Sequence, residues 1–298
     1  MAIATHRGIR LPALRVLVLG LGLWTAAAPA LPLWEITGTK NHIMVLGSIH
    51  FLRAADYPLA PAITQAFDRA DVILMEIDMD DLDPTASAST IAALATDGKG
   101  RQLEELLGPA AWRAASAEAQ KLGLDLTPMA PFEPWYAAVV ITQLRLSQLG
   151  FDPSLGVEAK LTAEAKRRGK EILGLETLES QLGTLDGLSP DAQREFLQST
   201  LEEASEAGDI ADEMITAWKS GDVRALDADL LGNVRDQPEL YRALILRRNE
   251  HFARAIGELV YDSRDYLIVV GALHLVGPDS VLVMLARDGI RSRQIKGR

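Results

Sequence analysis

The sequence predicts an α/β protein with a mixed central sheet and one large helical insertion. Three observations support this prediction. Six short runs of aliphatic and β-branched residues are typical of buried strands. Amphipathic stretches with helical spacing separate them, and the chain between about residues 103 and 262 is mostly helical in pattern. The chain has 298 residues, 48% hydrophobic and 24% charged, which is the balance of a globular protein and is long enough for one large domain.

The strand prediction follows from apolar runs bounded by glycine or polar residues. In order they are LWEITG, HIMVLGS, DVILMEID, EILGLE, YLIVVGA and IRSRQI. The corresponding ranges are 33–38, 42–48, 71–78, 171–176, 266–272 and 290–295. PLAPAITQAFDRA separates the second and third runs, so these three segments predict a βαβ unit whose two strands run parallel.

The helix prediction follows from apolar residues three and four positions apart, in stretches that end on glycine, a common C-terminal stop. The insertion contains four such stretches, over residues 108–123, 130–150, 155–169 and 189–208. A longer helix is predicted over residues 236–260, and it leads directly into the fifth strand.

The first thirty residues have the pattern of a secretory signal peptide. Three arginines precede the apolar stretch VLVLGLGLWTAAA, and the APA segment ending at Ala30 places small residues where a signal peptidase reads. We therefore expect residues 1–30 to be a leader cleaved near Ala30, and residues 31–298 to form a single periplasmic or secreted domain. An uncleaved membrane anchor over residues 14–33 is the alternative.

Charge and cysteine content exclude several classes of function. Removal of the leader takes away Arg7, Arg10 and Arg15 but no acidic residue, so the net charge changes from −11 to −14. A nucleic-acid partner is therefore not expected, and contact with a membrane is expected only through an uncleaved leader. The chain has no cysteine, which excludes disulfides, thiol catalysis and cysteine-based zinc sites.

Two segments near opposite ends of the mature chain share one pattern, an aliphatic strand followed by Gly-x-x-His. They are IMVLGSIHFL and YLIVVGALHLVG, which contain His50 and His274. Glycine at the end of a strand permits close approach of backbone or ligand. The histidine then projects from the strand edge at which open α/β sheets form ligand crevices. Either histidine alone is consistent with a core or surface residue, but their repetition favours a shared site. His42 and His251 are expected to be structural.

Carboxylates end the third and fourth predicted strands. Burial of Glu76 after four aliphatic residues is costly unless the carboxylate is paired or bound to a cation, and Asp78 and Asp80 are alternatives for the same role. Glu176 lies at a second strand end, where it alternatively caps the next helix. Two histidines with one or two carboxylates suit a hydrolytic divalent metal. The same set can also act without metal, with His50 as general base and Glu76 orienting it.

In this order, GSIH, LMEID and GALH resemble the hallmark motifs of the TraB/GumN (Tiki-like, PrgY-like) family. The resemblance extends over about residues 33–295 and includes GVEAKLTAEAKRRGKEILGLETLESQ and RRNEHFARAI. It implies a fold related to the erythromycin-esterase and ChaN-like group. From Tiki-type members it also implies metal-dependent proteolysis with manganese or cobalt, and zinc is a further candidate ion.

The resemblance also implies roles for single residues. It places His50, Glu76 and His274 at metal or catalytic positions, and it adds four residues as pocket members: Glu176, Gln181, Arg248 and Asn249. Alternatively, Arg248 and Asn249 are polar residues on a solvated face of their helix. Glu158 stands where aspartate is expected in many relatives. Independently of the resemblance, Arg53 follows the first motif and is a candidate substrate-binding residue for an oxyanion, with a surface role as the alternative.

Three functions are consistent with these residues. The leading hypothesis is an exported metal-dependent hydrolase, most directly a peptidase acting on a peptide or protein, in which His50, Glu76 and His274 hold a divalent ion and Glu176 relays a proton. The alternatives are a non-catalytic protein that sequesters a peptide or metal-containing ligand, and a metal-independent esterase. The chain lacks His-Glu-x-x-His, and it has no Gly-x-Ser-x-Gly elbow to support a serine nucleophile.

Overall fold

The computed structural model describes residues 30–37 and 40–297, and their central element is a six-stranded mixed sheet. Its strands are β1 (Ala30–Thr37), β2 (Ile43–Ser48), β3 (Val72–Ile77), β4 (Glu171–Glu176), β5 (Tyr266–Gly271) and β6 (Arg291–Lys296). All six predicted runs form strands, so the predicted α/β class is confirmed. The predicted leader lies outside the described residues, except for Ala30, which begins β1.

The strand order β4-β3-β5-β2-β1-β6 determines which strand ends meet. Strands β4, β3, β5 and β2 run parallel, and β5 lies between β3 and β2 although it comes much later in the chain. The predicted parallel arrangement of β2 and β3 is confirmed, with β5 inserted between them. Strands β1 and β6 extend the sheet in antiparallel pairing. Four carboxyl ends therefore lie along one edge, where open α/β sheets bind ligands.

Helices cover both faces of the sheet and form the insertion. They are α1 (Pro61–Arg69), α2 (Pro84–Ala95), α3 (Leu103–Leu107), α4 (Pro109–Lys121), α5 (Pro134–Gln148), α6 (Val157–Arg168), α7 (Leu178–Asp186), α8 (Pro190–Glu203), α9 (Ala207–Ser220), α10 (Val223–Arg235), α11 (Pro238–Tyr241), α12 (Arg247–Leu259) and α13 (Val281–Arg287). A π-helical turn, Arg242–Leu246, joins α11 to α12. None of the helices in the described ranges is both long and apolar enough to span a bilayer.

Three helical predictions need correction. The helical region begins at α2, before residue 103. The predicted helix over residues 189–208 is two helices, and Gly208 lies in the first turn of α9 instead of ending a helix. The predicted helix over residues 236–260 contains the π turn, which periodicity alone did not reveal. Ala243 and Arg248 are both buried although five residues apart, because a π turn places residues at that spacing on one face.

Alternate residues of the parallel strands contribute to two separate hydrophobic clusters. In β5, Leu267 and Val269 pack with α1, α6, α9 and α10, whereas Ile268 and Val270 pack with α12 and α13. The sheet is therefore covered on both faces, which explains why YLIVVG is apolar throughout and does not alternate. Helices of the insertion form further clusters of their own. This packing fixes the strand ends on which the candidate site is built.

Candidate functional site

The candidate site lies at the carboxyl ends of the four parallel strands. In sheet order, β4 ends on Glu176, β3 carries Glu76 at its penultimate position, and β5 and β2 are followed by His274 and His50. Ser48 of β2 is in register with Gly271 of β5, so the two Gly-x-x-His segments leave the sheet side by side. The strand adjacency on which the predicted histidine pair depends is present.

Three of these side chains face one small space beside Gly271. A β-carbon at that glycine would lie 3.3 Å from Glu76 Oε1, 3.6 Å from His274 Cδ2 and 3.8 Å from His50 Nε2. The backbone N–H of Gly271 donates to the same Glu76 oxygen at 2.6 Å. The absence of a side chain at Gly271 therefore keeps open the space in which the two imidazoles and the carboxylate meet.

Glu158 orients His50. The metal-free interpretation of the sequence predicts Glu76 in this role, and that prediction is wrong. The Nδ1 atom of His50 lies 2.9 Å from Glu158 Oε1, and the Ser48 hydroxyl donates to the same oxygen. The charge of Glu158 raises the pKa of His50 to about 9, so the imidazole is protonated at neutral pH. The His50 side chain is 60% exposed and that of Glu158 is 15% exposed. His50 therefore presents its Nε2 proton at the mouth of the site.

Glu158 reaches His50 because the chain approaches very closely at Gly156. A β-carbon on Gly156 would lie 2.2 Å from the carbonyl oxygen of His50, and the N–H of Val157 donates to the carbonyl of Ile49 at 3.0 Å. Glu158 then falls in the first turn of α6, where the helix dipole favours a carboxylate. Sequence reasoning noted Glu158 but assigned it no role. The usable signal was a glycine two positions before an acidic residue at a helix start.

In contrast to the exposed His50, His274 is buried. Its Nδ1 lies 2.6 Å from Asn249 Oδ1, whose amide nitrogen donates to the carbonyl of Asp279. These partners assign the proton to Nδ1. Burial lowers the pKa of His274 to about 4, so the ring is neutral at pH 7. Its Nε2 lone pair accepts a hydrogen bond from Arg248 Nη1 at 3.1 Å and lies 3.7 Å from Glu76 Oε1.

Arg248 joins the two strand-end carboxylates. Its Nη2 donates to Glu76 Oε2 at 2.6 Å and also to Glu176 Oε1, and its Nε donates to Glu176 Oε1 at 3.0 Å. Gln181 bridges the same carboxylates at 3.1 and 3.0 Å. Burial acts to raise the pKa of Glu76, but His274, which is protonated below about pH 4, and the cations Arg248 and His50 hold it at about 2. Glu76 is therefore ionised, with Oε2 bonded to Arg248 and Oε1 turned towards Gly271.

The remaining predicted residues separate into two groups. Glu176, Gln181, Arg248 and Asn249 lie in the network, as the resemblance implied, and Glu176 is not a helix cap because Thr177 caps α7. Arg53 is not brought to this cluster. Its guanidinium group donates to Asp212 at 2.6 Å and stacks on the ring of Phe151 at 3.7 Å.

The alternative carboxylates and the other histidines have separate partners. Asp80 pairs with Lys166, and Asp78 accepts from the backbone N–H of Asp80. On α12, His251 lies 2.7 Å from the carbonyl of Leu175, and His42 contacts Arg69. Of the carboxylates considered for the third strand end, the structure thus places Glu76 in the site.

The predicted divalent ion does not fit this arrangement of side chains. The separation of His274 Nε2 and Glu76 Oε1 is compatible with two ligands that each lie about 2.1 Å from one ion. The third predicted ligand, His50, is held as an imidazolium by Glu158 and has no free lone pair on Nε2, and no three His, Asp or Glu side chains within residues 30–37 and 40–297 are arranged to hold a metal. In addition, the His274 lone pair and both strand-end carboxylates already accept hydrogen bonds from Arg248.

Comparisons with known proteins identify a family and a distant relative. The model of the TraB/PrgY/gumN family matches residues 32–294. A protein of Treponema pallidum (strain Nichols), described only as an uncharacterized protein, is 23% identical over 270 residues, which cover 85% of this chain and 80% of that protein. No solved structure gives a significant match.

We expect His50 and His274 to titrate at widely separated pH values. Side-chain ¹⁵N chemical shifts should show His50 losing its second proton near pH 9 and His274 gaining one only near pH 4. Glu158→Gln removes the charge that stabilises the imidazolium, so the pKa of His50 should fall towards 6.5. Glu164→Gln makes the same charge change elsewhere on α6, where the carboxylate pairs with Arg167 and Arg168, and should leave His50 unchanged. A wild-type His50 that titrates near 6.5 would contradict the ion pair.

The two motif glycines should respond differently to an added methyl group. In Gly47→Ala the new carbon would lie 3.1 Å from Ala272 Cα, so backbone packing must shift at a cost of about 1–3 kcal/mol. In Gly271→Ala the nearest atom is the Glu76 carboxylate end at 3.3 Å. The second variant should therefore lose less unfolding free energy in urea, yet displace the His50 resonances. Equal destabilisation in both variants would show that the space beside Gly271 is not open.

Proposed function

We propose that this chain, which belongs to the TraB/PrgY/gumN family, is a hydrolase whose active site is the cluster at the strand ends. Peptides are the first substrate class, because the motifs are similar to those of Tiki-type proteases. The fold relation to the erythromycin-esterase and ChaN-like group, and export through the N-terminal leader, are parts of the same proposal.

The observation that carries this proposal is the contrast between the two histidines. His50 is cationic with a pKa of about 9, His274 is neutral with a pKa of about 4, and both face the space beside Gly271 together with Glu76. Neighbouring groups whose pKa values are pushed apart are typical of acid–base catalysis. A purely structural cluster does not need an exposed imidazolium beside a buried, ionised carboxylate.

These residues support hydrolysis with Glu76 as the base and His50 as the acid. Water attacks the substrate carbonyl carbon, and Glu76 accepts the proton that the water loses. The His50 imidazolium donates its Nε2 proton to the leaving amine as the carbon–nitrogen bond breaks. Transfer of the proton from Glu76 back to His50 through solvent restores the starting state. Glu158 stays ionised and holds the His50 ring, whereas Arg248 and His274 act as positioning residues around Glu76.

A metal-independent esterase is the second candidate. It is favoured by one observation, namely that Arg248 donates to Glu76 and His274, two of the three predicted metal ligands, and to Glu176. The same residues can transfer a proton to a leaving alkoxide. The assay treats the divalent ion implied by the resemblance, manganese, cobalt or zinc, as a variable.

The proposal is tested by cleavage assays with an unstructured peptide library and a panel of aryl esters. In His50→Gln, the loss of the acid should lower kcat/KM at pH 7 by about 10²–10⁴-fold. His42→Gln removes an imidazole outside the cluster and should retain wild-type activity. Glu76→Gln should also be strongly impaired, since an amide cannot accept the proton.

Each assay is run with chelator and with manganese, cobalt or zinc added back. Turnover that persists in chelator and depends on His50 supports metal-free acid–base hydrolysis, whereas turnover only after metal addition contradicts it. Failure to cleave any substrate under every condition would contradict the hydrolase and favour the sequestering protein.

A further inference from the structure

We infer that the guanidinium group of Arg248 is the resident cation of the strand-end site, and that it occupies the position between Glu76, Glu176 and His274 that a divalent ion would otherwise take. This inference concerns the occupancy of the site, so it holds whether or not the protein hydrolyses a substrate.

All three guanidinium nitrogens of Arg248 donate hydrogen bonds. Nη2 donates to Glu76 Oε2 at 2.6 Å and to Glu176 Oε1, and Nε donates to Glu176 at 3.0 and 3.3 Å. Nη1 donates to His274 Nε2 at 3.1 Å and to the carbonyl of Leu244 at 3.4 Å. Carboxylates and imidazole lone pairs are groups that divalent ions commonly bind. In this protein, the two carboxylates and the His274 lone pair accept hydrogen bonds from Arg248 instead.

Burial makes a cation necessary at this position. The side chains of Glu76 and Glu176 are 9% and 7% exposed, and that of Arg248 is 10% exposed. Two carboxylates removed from water are stable only when a cation and further hydrogen bonds compensate for lost hydration. Arg248 supplies the charge, and Gln181 donates to both carboxylates. A divalent ion added beside the guanidinium would be repelled, so it can bind only if Arg248 leaves.

Arg248 is held in place by the elements that carry it. It lies in the first turn of α12, directly after the π turn. Its Cζ atom lies 5.2 Å from the centroid of the Phe252 ring, a distance suited to a cation–π contact. The next residue, Asn249, is 0% exposed and orients the His274 ring. The helix therefore presents two inward-facing polar residues in succession, one that replaces the ion and one that fixes the imidazole.

The inference is tested by direct binding of Co²⁺ and Mn²⁺ to the full chain, followed by calorimetry and by the visible absorption of bound Co²⁺. Wild-type protein should show no saturable site at these residues. Arg248→Gln removes the competing charge and leaves both carboxylates, so it should bind one Co²⁺ at least about tenfold more tightly than wild type. Adding Glu76→Gln to this variant should abolish that gain. Arg247→Gln removes an exposed positive charge at the adjacent position and should behave like wild type.

A wild-type chain that binds one Co²⁺ or Mn²⁺ more tightly than Arg248→Gln would overturn the inference. If Arg248→Gln does not fold, the wild-type melting temperature decides the question. We expect it to be the same in chelator and in excess Co²⁺. A stabilisation by Co²⁺ that is lost in Glu76→Gln but retained in Arg247→Gln would show that the site holds a metal and that Arg248 is not its resident cation.

Discussion

The pairing of Arg248 with Glu76 and Glu176 is the interaction on which the rest of the site depends. It ties the ends of β3 and β4 to α12, and it occupies one oxygen of Glu76 so that the other faces the open space beside Gly271. Removal of one partner from a buried ion pair typically costs about 3–5 kcal/mol, because the remaining charge is left without compensation. The same guanidinium donates to Nε2 of His274, the ring nitrogen that carries the lone pair. A single arginine thus contacts and orients three neighbours.

The pair formed by His50 and Glu158 complements this interior network at the rim of the site. His50 is exposed, and its positive charge is stabilised by the Glu158 carboxylate. The close contact at Gly156 brings this residue of α6 to the histidine. The buried part of the site is therefore held rigidly, whereas the group that can reach solvent and substrate is a cationic imidazole. This division is suited to a reaction in which the interior orients a base and the rim supplies a proton.

The sequence alone was sufficient for the strands and for placing the two histidines at strand ends, because both depend on local patterns. Strands buried on both faces give continuous apolar runs, and the repeated Gly-x-x-His marked two strand ends. The insertion of β5 between β2 and β3 depends on long-range packing, so periodicity carried no signal for it. Local patterns assign Glu158 no role, because its contact with His50 requires an approach across more than a hundred residues of chain. Residue types also could not distinguish a metal from Arg248, since either cation compensates two buried carboxylates.

The most direct measurement of the central claim is a neutron crystal structure at neutral pD. We expect deuterium on both ring nitrogens of His50, on Nδ1 alone of His274, and on all nitrogens of an Arg248 guanidinium placed between ionised Glu76 and Glu176. A divalent ion at that position with Arg248 turned away, or a His50 ring that carries one deuteron beside a deuterated Glu158, would contradict it.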